Sequence, residues 1–116
     1  MEEIFSKSWD RLEQFYKSQD SHAWPYAQML TLIAELRQRG YGRQLLSQGR
    51  PGCFILSPTG LRHHDAKLGI YLKKNDAMFL IYNNGADVEI QTEVEKIEFT
   101  PELESLLERL AAHPID

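Results

Sequence analysis

The stretch that decides the fold spans residues 68–91 and reads LGIYLKKNDAMFLIYNNGADVEIQ. It contains two short, mostly apolar segments, residues 68–73 and 77–82, each with the length and the β-branched and aromatic content of a strand. Asn84-Gly85 then predicts a type I′ hairpin turn, because both residue types accept positive φ. Residues 86–91 alternate apolar and polar side chains, which is typical of a strand with one face in water. The whole stretch therefore predicts an antiparallel meander.

The flanking sequence extends this meander on both sides. Residues 53–56 form a short apolar run that ends at a Ser-Pro-Thr-Gly turn, and about residues 94–99 predict a last strand. We therefore expect four or five antiparallel strands between about residues 53 and 99. Residues 43–46 fit either a helical turn or a short strand, and residues 49–52 fit a turn or a loop.

Three segments outside the strands have the periodicity of amphipathic helices. Apolar side chains recur at three- and four-residue steps over about residues 4–19, 25–39 and 101–112. Pro25 suits a first helical turn, and Thr100 is a good N-cap before the last helix. The short connection between the first two helices predicts an antiparallel helical hairpin. The sequence thus predicts a single α+β domain, in which an antiparallel meander of four or five strands is combined with an N-terminal helical hairpin and a C-terminal helix.

Length and composition agree with one soluble globular domain. The chain has 116 residues, of which 42% are hydrophobic and 26% charged, and a net charge of −4 at pH 7. No run approaches the roughly 20 apolar residues that cross a bilayer, and the acidic start does not resemble a signal peptide. Cys53 is the single cysteine, so no intramolecular disulfide can form. We therefore expect a cytoplasmic protein that does not enter a membrane.

The predicted strand at residues 78–82, Met-Phe-Leu-Ile-Tyr, does not alternate, so both of its faces need cover. The three helices offer enough apolar side chains for one face of a small sheet. An uncovered second face exposes a larger apolar patch than soluble monomers usually carry. We therefore expect self-association as a two-fold homodimer through the sheet. The alternative is a monomer in which the N-terminal helices cover one face and the C-terminal helix covers the other.

Charge is unevenly distributed along the chain. Residues 37–74 carry eight Lys or Arg side chains and one Asp, a net charge of +7, whereas residues 87–116 carry a net charge of −7. The ordinary interpretation is that these segments neutralise one another in the folded protein. The alternative is a site for an acidic protein or an anionic ligand, and its candidate residues are Arg43, Arg50, Arg62 and Lys67. A nucleic-acid partner is disfavoured, because the pI is about 5.5 and the C-terminal third is acidic.

One segment, Arg62-His63-His64-Asp65, contains the residue types of a catalytic or metal site. In an extended chain His63 and His64 point to opposite sides, and no HxH, HExxH or CxxC pattern accompanies them. We therefore predict no metal and no cofactor, and we keep His63, His64 and Asp65 as a candidate polar site. Cys53 lies in an apolar run, which is typical of a buried thiol rather than a nucleophile.

These observations favour a non-enzymatic binding or regulatory module that acts through its sheet face and its arginine-rich middle segment. No catalytic residue is assigned. Two alternatives stay open: a small enzyme that uses residues 62–65, with or without Cys53, and a purely structural assembly subunit. Convergence of the histidines with a carboxylate or the thiol in one pocket favours the enzyme, whereas a continuous apolar sheet face favours assembly.

Overall fold

The computed structural model describes residues 2–19, 25–60, 62, 64–73 and 75–112. These residues form three α-helices, α1 (Glu2–Lys17), α2 (Tyr26–Gln38) and α3 (Pro101–Ala111), and a 3₁₀ turn at Tyr41–Arg43. They also form five strands: β1 (Leu46–Arg50), β2 (Cys53–Ser57), β3 (Lys67–Leu72), β4 (Met78–Asn83) and β5 (Val88–Val94). The ends of the predicted helices lie within two residues of these bounds.

The five strands form one antiparallel sheet in the order β1-β2-β3-β4-β5, so each strand pairs with its neighbours in sequence. This confirms the predicted α+β fold, with its antiparallel meander, N-terminal helix pair and C-terminal helix. β1 and β5 are the two edge strands of the sheet. Residues 86–91, whose alternating pattern predicts a strand with one face in water, thus overlap the edge strand β5.

The sheet begins and ends earlier in the chain than the sequence predicts. β1 precedes the predicted first strand and joins β2 through Pro51-Gly52, where Gly52 adopts a φ of 78°. The predicted last strand at about residues 94–99 is wrong, because pairing stops at Val94 and residues 95–98 form bends. Ile97 is buried in the core from this irregular segment, so its apolar character reflects core packing rather than a strand.

The predicted type I′ turn at Asn84-Gly85 is also wrong. Among the described non-glycine residues only Asp76 has positive φ, so Asn84 does not take the conformation that this turn requires. Instead, a longer loop forms in which the Asn84 side-chain oxygen accepts hydrogen bonds from the N–H groups of Ala86 and Asp87, at 2.9 and 3.0 Å. The asparagine side chain thus supplies the turn that the backbone was expected to make.

α1 and α2 pack side by side in antiparallel directions. The rings of Tyr16, near the end of α1, and Tyr26, at the start of α2, lie 5.2 Å apart. Towards the other end of the pair, the Arg37 guanidinium donates to Asp10 at 2.9 Å and to Glu13 at 2.7 Å. Burial acts to lower the pKa of Arg37, but these carboxylates more than offset it and the pKa is raised. An aromatic contact and an ion pair therefore fix the two helices together.

All three helices pack on the same face of the sheet. α1 lies against β1, where Trp9 Nε1 donates to the Leu45 carbonyl at 2.8 Å. Arg109 of α3 lies over the ring of Tyr82, 5.3 Å from its centroid. The alternative arrangement, with the C-terminal helix on the opposite face, is therefore wrong. The buried core shared by helices and strands includes Trp9, Leu12, Ile33, Leu36, Leu56, Leu68, Ile70, Leu80, Leu103, Leu107 and Leu110.

β1 allows α1 to approach closely because its helix-facing residues are small. A Cβ atom on Gly49 would lie only 2.9 Å from Leu12 Cδ1. The Ser8 hydroxyl accepts the backbone N–H of Ser47 at 3.0 Å, so the helix also occupies part of this sheet edge. No helix among the described residues is long and apolar enough to span a bilayer.

Candidate functional site

The face of the sheet that points away from the helices carries an apolar patch. The patch consists of Ile55, Tyr71, Phe79 and Ile81, which share this face by strand register. All four side chains are partly exposed, and none belongs to the core on the helix side. Within the described ranges, no helix packs over them. We call this side of the sheet the open face.

Two cross-strand rows order the open face. The inner row contains Gln48, Ile55, Gly69, Ile81 and Gln91, and the charged row contains Arg50, Cys53, Tyr71, Phe79 and Glu93. The ring of Tyr71 leans across the glycine of the inner row, since a Cβ atom on Gly69 would lie 2.5 Å from Tyr71 Cε2. The tyrosine therefore lies along the sheet and fills the middle of the patch.

A small pocket adjoins this patch near the β1 edge. It has a volume of about 230 Å³ and is lined by Gln48, Arg50, Ile55 and Lys67, which come from three neighbouring strands. Neither cation forms an ion pair within the described part of the chain. Two unpaired cations and an amide around one apolar side chain are suited to a carboxylate or another small anion. We call this the basic pocket.

Carboxylates cluster at the opposite edge of the sheet. A groove of about 410 Å³ beside β5 is lined by Glu93, Val94, Glu95, Lys96, Glu98, Thr100 and Glu102, and we call it the acidic edge. Glu93 also pairs with Lys73, with its Oε1 2.7 Å from the lysine Nζ. Because Arg50 and Glu93 stand at the two ends of the charged row, the open face is basic on one side of the apolar patch and acidic on the other.

Cys53 lies beside Arg50 in the charged row. Burial raises the pKa of its thiol, and the positive charge of Arg50 offsets this only in part. A raised pKa keeps the sulfur protonated at neutral pH, whereas a nucleophilic cysteine needs the thiolate. The environment of Cys53 therefore does not activate it.

The four cations predicted as a binding site do not all converge. Arg50 and Lys67 line the basic pocket together. Arg43 is exposed in the 3₁₀ turn, which packs against α1 and α2 on the other side of the sheet. Arg62 is exposed in the β2–β3 loop, where its Nε lies 3.5 Å from the Asp65 carboxylate. Only half of the predicted set thus belongs to one surface.

The candidate polar site is placed in part by the structure. Asp65 is buried, and its carboxylate accepts from the Thr59 hydroxyl and from the Arg62 backbone N–H, each at 2.9 Å. Burial acts to raise the pKa of Asp65, but these hydrogen bonds and the charge of Arg62 outweigh it, so the pKa is lowered. His64 is exposed, and His63 lies outside the described residues. Asp65 therefore organises the β2–β3 loop, and the use of this segment by a small enzyme stays an untested alternative.

The sequence interpretation missed Gln48 and Glu93 as members of a functional surface. Gln48 lies in β1, and the signal for that strand was the two-residue turn Pro51-Gly52, which joins its last residue to the first residue of β2. Glu93 was one carboxylate among many in an acidic segment. Across the residues that the structure describes, no group of three or more His, Cys, Asp or Glu side chains could hold a metal ion.

No protein-family model matches the chain, and comparisons with curated proteins and with solved structures give no match either. Its function therefore has to be inferred from the geometry of the open face.

Proposed function

We propose that the chain is a non-enzymatic binding module that self-associates through its open face. The observation that carries this proposal is the apolar patch of Ile55, Tyr71, Phe79 and Ile81, over which no described helix packs. Monomeric soluble proteins rarely leave a contiguous patch of large apolar side chains in water, and such patches mark interaction sites. The patch also lies between charged groups of opposite sign, Arg50 and Glu93, as a specific interface requires.

The energetic gain from covering this patch is substantial. Complete burial of one large apolar side chain is worth about 1.5–3 kcal/mol. The four side chains are already partly buried, so covering them contributes a fraction of that sum, still several kcal/mol. A sheet face is flat enough to pack against another sheet at about 10 Å, with the strand directions within about 30° of each other.

A second copy of the chain is the simplest occupant. A two-fold axis buries the same patch on both copies and needs no other gene product. Five strands spaced about 4.8 Å apart and about 20 Å long give a face of roughly 500 Å², so two faces together bury on the order of 1,000 Å². That area lies at the lower end of specific interfaces. We therefore expect a reversible dimer that dissociates on dilution.

Other partners are consistent with the same surface. An acidic protein could place carboxylates in the basic pocket, whereas a nucleic acid is disfavoured because Glu93 lies on the open face and further carboxylates line the acidic edge beside it. The proposal places the protein in the cytoplasm, on the support of a single cysteine that can form no intramolecular disulfide.

Site-specific photo-crosslinking of the purified protein tests the proposal. Para-benzoylphenylalanine replaces Phe79 on the open face or, as a control, Glu104, which is exposed on α3. Irradiation at position 79 should give a covalent product of twice the 13.5 kDa chain mass, and position 104 should give none. No product from position 79, or equal products from both positions, would overturn the proposal.

A further inference from the structure

We infer that the basic pocket is a carboxylate-binding site completed by a second copy, whose Glu93 reaches Arg50 across the interface. This inference rests on the proposed self-association, and it specifies how the two copies are oriented. The charged row ends in a cation, Arg50 on β1, and in a carboxylate, Glu93 on β5.

A two-fold axis that lies in the interface and runs parallel to β3 brings these ends together. Such a rotation exchanges β1 with β5 and β2 with β4, while every residue stays at the level of its own row. Arg50 of each copy then lies opposite Glu93 of the other, and Ile55 lies opposite Ile81. Apolar side chains therefore meet apolar side chains, and Arg50 of each copy meets a carboxylate.

The other in-plane axis, perpendicular to the strands, is disfavoured by charge. It places each strand opposite its own copy, so the two acidic edges meet and the two basic pockets meet. Juxtaposed like charges cost several kcal/mol at an interface. The orientation parallel to β3 is therefore the one that the open face specifies.

Lys67 is compatible with this orientation although it lies on the central strand. Its side chain lines a pocket with Gln48 and Arg50, so it extends from β3 towards β1. In the dimer the two Lys67 side chains consequently extend in opposite directions, each towards its own basic pocket. The amide of Gln48 lies in the inner row opposite Gln91 of the second copy.

Glu93 can serve both copies. Its Oε1 is paired with Lys73 of the same chain at 2.7 Å, and a carboxylate has a second oxygen with its own lone pairs. An arginine guanidinium is well suited to that position because its planar donors match carboxylate geometry. The second copy thus adds a cation to a carboxylate that the fold already holds in place.

Charge exchange tests this contact. Arg50→Glu and Glu93→Arg should each raise the dimer dissociation constant about tenfold or more, and the combined Arg50→Glu/Glu93→Arg protein should return to within about threefold of wild type. Two charge-reversal controls lie away from the contact: Arg43→Glu in the 3₁₀ turn and Glu104→Arg on α3, both exposed. Neither should change the constant. Lys73→Gln breaks only the pair within the chain and should also leave the dimer intact.

Analytical ultracentrifugation at a series of concentrations gives each constant, and circular dichroism checks that each variant is folded. Rescue in the combined protein supports the contact. If neither single reversal changes the dissociation constant, or if the combined protein does not recover the affinity lost by the single variants, the contact between Arg50 and Glu93 is wrong. The proposed self-association stands in either case. A wild-type chain that stays monomeric at every concentration refutes the self-association itself.

Discussion

The two faces of this sheet carry similar apolar side chains, but the helices cover only one of them. In β4, Leu80 points into the helical core and is fully buried, whereas its neighbour Ile81 points to the open face and stays partly exposed. Each face also has a glycine under a larger group: Gly49 lies under Leu12 of α1, and Gly69 lies under the ring of Tyr71. On the core face, Gly49 leaves room for α1 to pack closely. On the open face, Gly69 leaves room only for the ring of Tyr71 from the same strand. The apolar content of a strand therefore does not show which face of the sheet is covered by helices of the same chain.

Substitution of the two β4 neighbours should give the largest contrast between the faces. Leu80→Ala leaves a cavity in a closed core and should lower the free energy of unfolding by about 2–5 kcal/mol. Ile81→Ala removes a side chain that already meets water and should cost below about 1 kcal/mol. Urea denaturation at sub-micromolar protein measures both without a contribution from the dimer. Equal losses would mean that the open face is closed within the monomer.

The two tyrosine hydroxyls give the next contrast. Tyr16 is buried, and its single hydroxyl proton is shared between the carbonyl oxygens of Arg50 and Cys53 beside the β1–β2 turn. Tyr16→Phe leaves these acceptors without their donor and should cost about 1–2 kcal/mol. The Tyr71 hydroxyl makes no hydrogen bond among the described residues, so Tyr71→Phe should stay within about 0.5 kcal/mol of wild type. The same denaturation series checks this, and a larger loss for Tyr71→Phe would contradict the separation of the faces.

The smallest effect is on stability at acidic pH, and it arises from Asp65 in the β2–β3 loop, which belongs to neither face of the sheet. The pKa of Asp65 is lowered in the folded chain, so its carboxylate stabilises the fold above the unfolded pKa of about 4. That contribution is lost as the pH falls from there through the folded pKa. Stability of the wild type should therefore fall more steeply below about pH 4 than that of Asp65→Asn. Thermal denaturation between pH 3 and pH 6 measures both slopes, and parallel curves would mean that the Asp65 carboxylate does not contribute to acid stability.

Much of the fold could be predicted from the sequence because its helices and central strands have clear periodicity. β1 could not, because Ser47 and Gly49 face the helix as small residues and the alternation of large apolar side chains is missing. The end of the sheet was misplaced for the converse reason: Ile97 is apolar and buried, yet it packs from a bend. An isolated sequence shows how apolar a segment is, and the neighbouring elements decide its geometry.

The candidate site was less predictable than the fold. The sequence did not define β1 and so could not assign Arg50 to a face of the sheet, and only the structure shows that its side chain lines one pocket with Lys67. Arg43 and Arg62 belong to the same basic stretch of sequence but fold onto other surfaces. The apolar patch was the better guide, because a strand that does not alternate has to place large side chains on both faces.

Sedimentation equilibrium of three proteins shows whether the chain associates through its open face. Phe79→Glu places a charge in the patch, and Ile4→Glu makes the same kind of change at a side chain on α1 that is 57% exposed. With rising concentration, the wild type and Ile4→Glu should approach twice the 13.5 kDa chain mass, while Phe79→Glu stays at the mass of one chain. A wild type that remains at 13.5 kDa throughout, or a Phe79→Glu protein that dimerises equally well, would contradict association through the open face.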